Sequence, residues 1–148
     1  MFSHDTTIQS VHSTAPSGAA LPLPLYASKV QAGFPSPAED YVEGALDLNK
    51  HLIKHKEATF FVRAAGDSMI NAGIFPDDLL IVDRSLEAKS GSIVIAALNG
   101  ELTVKRLKIK PDGPLLCPEN PAYPCIPFTS FDDFSIWGVV TNVIHSTL

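Results

Sequence analysis

A chain of 148 residues, 45% hydrophobic and 18% charged, makes one compact domain with a short tail, which excludes global disorder. Its net charge of −5 argues against broad attraction to nucleic acid phosphates, and no apolar stretch approaches the roughly 20 residues that span a bilayer. The N-terminal region carries acidic Asp5 and no basic cluster before an apolar block, so no secretory signal is read and the cytoplasm is the expected compartment.

Residues 1–38 are rich in Ser, Thr, Ala and Pro, and the prolines of Leu21-Pro-Leu-Pro-Leu25 block regular pairing. This segment is read as a flexible arm, and residues 39–148 as the folded body. From Asp40 to His55, apolar Val42, Ala45, Leu46, Leu48, Leu52 and Ile53 predict a helical stretch, in which Asp47 caps a turn starting at Leu48. Strand signals follow at Thr59–Arg63, Leu79–Asp83 and Ser92–Leu98. Asn99-Gly100 is a strong hairpin signal, because both central positions of a type I′ turn take positive φ. Glu101–Ile109 is the return strand, Pro111-Asp-Gly-Pro114 a turn, and Phe134–Ile144 the closing strand. The fold class is mainly β, a curled and mostly antiparallel sheet.

Ser68 follows the first body strand in Ala65-Gly-Asp-Ser-Met-Ile70. Gly66 permits a sharp turn there, which would expose the serine beside backbone N–H groups able to hold an oxyanion. A serine after Gly-Asp also serves simply as a turn residue that bonds its own backbone. In Glu101–Ile109, strand alternation places Lys105 on the face of Thr103, Leu107 and Ile109, opposite Arg106 and Lys108. An amine on an apolar face is desolvated and its pKa falls, which suits a general base; alternatively the side chain snorkels and its head stays in water. The Arg106–Lys108–Lys110 run reads as a solvated strand face. A Ser–His–Asp triad is less simple, since no Gly-x-Ser-x-Gly elbow occurs. Cys117 and Cys125 are too few for a disulfide framework or a zinc site, and His51 and His55 share a helical spacing but lack a third ligand. No metal or cofactor is expected.

Gly66-Asp-Ser-Met69, Gly73-Ile74 with Asp78-Leu-Leu-Ile-Val82, and Gly100-Glu-Leu-Thr-Val-Lys105 resemble the catalytic domain shared by LexA, phage repressors and UmuD, as does the 37-residue separation of Ser68 from Lys105. Val30-Gln-Ala-Gly-Phe-Pro-Ser-Pro-Ala-Glu-Asp-Tyr-Val42 resembles the cleavage segment of UmuD, and the likeness runs on through Trp137-Gly-Val-Val140. The resemblance implies a serine endopeptidase that cuts its own arm at Ala32–Gly33. Ser68 would be the nucleophile, Lys105 its base, and the amides of Asp67 and Ser68 the oxyanion donors. A second Ala-Gly pair, Ala72–Gly73, lies inside the domain and is rejected. The resemblance further implies a homodimer, a RecA–single-stranded-DNA filament as co-protease, and a UmuC-like error-prone polymerase subunit as partner of the cut form. Rival readings are a LexA-like repressor, for which a helix-turn-helix before Gly33 lacks room, a membrane-anchored type I signal peptidase, and a catalytically silent polymerase-binding module.

Overall fold

The computed structural model describes residues 5–15, 18–26 and 42–148. In chain order the elements are β1 (Thr7–Ser13), β2 (Leu23–Tyr26), β3 (Val42–Leu46), α1 (Leu48–Leu52), β4 (Thr59–Ala65), β5 (Leu79–Asp83), β6 (Ile93–Leu98), β7 (Glu101–Lys110), β8 (Gly113–Cys117), β9 (Ile126–Pro127) and β10 (Phe134–Ile144). They fall into two units. One lies within Ala15–Lys54; the other joins the described part of Met1–Thr14 to His55–Leu148.

The smaller unit is the antiparallel hairpin of β2 and β3 followed by α1. Asp47 caps α1 as expected, its carboxylate accepting from the Asn49 amide at 3.1 Å. Two expectations fail here. Residues 42–46 form a strand rather than a helix, because cross-strand pairing with β2 overrides a helical spacing already weakened by Gly44. Pro24 does not prevent that pairing, since a two-stranded sheet leaves each strand an outer edge on which no donor is needed.

The larger unit is a mainly β, antiparallel sheet in the order β1-β4-β5-β10-β6-β7-β8-β9, and a further β1–β7 pairing curls its first six strands into a ring. Strands β5 and β6 read as unbroken apolar runs because both their faces are covered. Ile95 joins Val62, Leu80, Val82 and Val104 in one core, while its neighbours Val94 and Ala96 join Leu107 and Leu116 in a second. The hairpin at Asn99 (φ 49°) and Gly100 (φ 84°) takes the positive angles its sequence demanded.

The expectation of an irregular arm through residue 38 is corrected at its start. Thr7–Ser13 is a strand paired with β4 from Thr7↔Ala65 to Ser13↔Phe60. Thr7-Ile-Gln-Ser-Val-His-Ser13 is proline-free and carries β-branched residues, a strand signal hidden by the composition of its surroundings. β8 and β9 were also not anticipated; Cys117 ends β8 and is disulfide-bonded to Cys125. The helical spacing expected for His51 and His55 does not hold, because α1 ends at Leu52: His55 contacts Asp83 through Nδ1 at 2.6 Å and His51 is exposed; no metal-binding cluster occurs among the described residues.

Gly138 sits beside a register shift in β10, where a Cβ would lie 2.6 Å from a Val82 methyl and 3.3 Å from Arg84 Cγ. Gly138→Ala is therefore expected to overpack the β10–β5 contact and cost about 1–3 kcal/mol, read as a lower urea midpoint with an unchanged slope.

Candidate active site

β4 ends at Ala65, and Gly66 (φ 79°) turns the chain as expected, but Ser68 is fully buried rather than exposed, because the Thr6 amide bonds to its hydroxyl. A short 3₁₀ turn, Ile70–Ala72, follows and is closed by left-handed Gly73. The loop between Cys117 and Cys125 braces this turn. Asn120 Nδ2 donates to Asp67 O at 3.0 Å, the Tyr123 hydroxyl to Asp67 Oδ1 at 2.8 Å, and the Glu119 amide to Ser68 O at 2.9 Å. Desolvation, reinforced by the Asp67 carboxylate, pushes the Tyr123 phenol up to about 12, which keeps it a donor. Sequence reasoning missed these three residues, since their stretch signalled only prolines and turns.

Lys105 lies mid-way along β7 and is 2% exposed. Its ammonium does not reach water; it donates to Thr103 Oγ1 at 3.0 Å, Val104 O at 3.2 Å and Asp5 Oδ1 at 2.5 Å. The snorkelling alternative is thus set aside. Burial pushes the Lys105 pKa below the ordinary lysine value, with the hydrogen bond and charge of Asp5 acting against that fall. Leu107 shares the buried face as expected, whereas Ile109 is 55% exposed because β7 runs past the core there.

Ser68 and Lys105 converge on two consecutive residues. The Thr6 amide donates to Ser68 Oγ at 2.7 Å, while Asp5 holds Lys105. The Thr6 carbonyl accepts from the Val104 amide at 3.1 Å and from Thr103 Oγ1 at 2.9 Å, and Thr7 pairs with both Ala65 and Thr103. Residues 5–7, leading into β1, thus lie between the Ser68 turn and the Lys105 strand. Ser68 and Lys105 make no direct hydrogen bond among the described residues. A cavity of about 500 Å³ adjoins the Asp5–Lys105 pair, lined by Leu98, Leu102, Ile126 and Phe131. The expected cleavage site, Ala32–Gly33, lies outside the described residues.

Residues 24–141 match the family described as Peptidase S24-like. The chain belongs to the S24 peptidase family. SamA of Salmonella typhimurium (strain LT2) is 51% identical over 124 residues, spanning 84% of this chain and 86% of SamA. ImpA of Escherichia coli is 50% identical over 130 residues, 84% of either chain. A LexA repressor from Verminephrobacter eiseniae (strain EF01-2) is 37% identical over 153 residues, spanning 98% of this chain and 67% of the repressor. Within S24 the chain stands with the UmuD-type members, as its motifs implied. Ser68, Lys105 and the bracing loop fall inside the matched segment, and Asp5 and Thr6 fall before it.

Proposed function

We propose that this chain is a self-cleaving serine endopeptidase in which Ser68 and Lys105 form the dyad that cuts Ala32–Gly33. The convergence of a buried serine and a buried lysine on the adjacent residues Asp5 and Thr6 carries the reading. Neutral Lys105 takes the Ser68 proton as Oγ attacks the Ala32 carbonyl. The amides of Asp67 and Ser68 hold the oxyanion; collapse of the tetrahedral intermediate releases the Gly33 amine, which takes the proton back from Lys105. Water then hydrolyses the Ala32 ester. Because the bond is tethered to its own nucleophile, positioning rather than encounter sets the rate.

The UmuD-type relatives support the wider role. The protein is a cytoplasmic homodimer of the DNA-damage response, stimulated by the RecA–single-stranded-DNA filament, and its cut form is the accessory subunit of a UmuC-like translesion polymerase. No helix among the described residues is long and apolar enough to cross a membrane. Incubating the purified chain at mildly alkaline pH and following intact mass is expected to yield a fragment beginning at Gly33. A chain that stays whole, or is cut elsewhere, defeats the reading.

A further inference from the structure

The dyad atoms in this structure are both engaged by a segment that is not the expected substrate. The Thr6 N–H donates to Ser68 Oγ, and a donor of this kind lies in the plane of its peptide. The hydroxyl therefore faces the N–H edge of the Asp5–Thr6 bond and not the carbonyl face that an attacking oxygen must approach. Asp5 meanwhile holds the Lys105 amine with a carboxylate, which favours the charged form that cannot act as a base. The contact is thus an unproductive one.

We propose that residues 5–13 are a resident ligand of the catalytic groove, docked as a strand between β4 and β7, and that their departure gates self-cleavage. This rests on the self-cleavage reading above and adds its control. The site is a built one: buried Thr6 bonds to Ser68, Val104 and Thr103, and Asp5 pairs with Lys105. The ligand is nonetheless weakly anchored. Beyond Ile8 its side chains are mostly exposed, its pairing with β4 shifts register between Ile8 and Ser10, and Thr6 Oγ1 is buried without a hydrogen-bond partner among the described residues. A strand with little buried apolar surface opens at low free-energy cost. Another segment, and a scissile bond with it, reaches Ser68 only when Asp5 and Thr6 have left. The observed rate is then the intrinsic rate multiplied by the fraction of molecules with the groove empty.

The test uses the full chain with Asp5→Ala and Thr6→Pro. The first removes the carboxylate; the second removes the N–H given to Ser68 and leaves Asp5 in place. Two quantities are read: the rate of appearance of the Gly33 fragment, and the hydrogen-exchange protection of the Val104 amide, whose acceptor is Thr6. Both variants are expected to cut about tenfold faster, with Val104 exchanging faster than in the unaltered chain. Loss of Val104 protection with an unchanged or slower rate overturns the gating. An unprotected Val104 in the unaltered chain overturns the docking itself. If no chain yields a Gly33 fragment while Val104 behaves as expected, the docking stands and the cleavage reading fails instead, taking the gating with it.

Discussion

Ser68→Ala is expected to leave the chain uncut, with the Gly33 fragment falling by about a thousandfold or more, because no other group replaces the attacking oxygen. The same substitution has a structural signature. Ser68 is fully buried and accepts from the Thr6 amide, so alanine leaves that donor without a partner. Orphaning a buried N–H costs about 1–3 kcal/mol. The variant should therefore be uncut and also less stable, by a shift in the urea midpoint. An uncut variant with unchanged stability would separate Ser68 from Thr6 in solution. A variant cut at the normal rate would remove Ser68 from the mechanism.

Lys105→Ala is expected to abolish cleavage to a similar degree, and the pH dependence of the unaltered chain tells why. Burial lowers the Lys105 pKa, so the neutral amine accumulates at a lower pH than for a free lysine. The cleavage rate should rise with pH through the folded-state value and level off before the unperturbed value near 10.5. The ionisable neighbour that shapes this profile is Asp5, just before β1, whose hydrogen bond and charge oppose the fall. Stability follows the same titration. Between the folded and unfolded pKa values the unfolded chain binds the extra proton, so stability rises with pH across that window. Below the folded value the penalty for charging a buried amine is present in full. Lys105→Ala should flatten that slope, and a rate that is flat with pH in the unaltered chain would count against a lysine base.

The strands from Thr59 to Leu98, the Asn99-Gly100 hairpin and the closing strand were legible because each is set by local pattern: apolar runs, alternation and positive-φ turn residues. The turn at Gly66 and the burial of Lys105 were foreshadowed by glycine's freedom at positive φ and by the parity of β7, whereas the burial of Ser68 was not, because Thr6 covers it from a distant part of the chain. What the sequence hid depends on distant partners. Asp5 and Thr6 become site neighbours only through pairing with strands roughly 60 and 100 residues away, and nothing local marks such long-range pairing. Asn120 and Tyr123 brace the serine turn across a similar gap. Residues 42–46 misled for the converse reason: a helical spacing was present, but a cross-strand neighbour decided the outcome.

The strand that completes the ring lies upstream of the proposed cut, and this has a stoichiometric consequence. In the whole chain β1 is tethered and redocks at a concentration fixed by the linker. Once the chain is severed after Ala32, residues 1–32 become a separate peptide, and its hold on β4 and β7 obeys mass action. Dilution alone then opens the barrel and bares hydrogen-bonding edges on both strands. The proposed reaction would thereby turn a piece of its own scaffold into an exchangeable subunit.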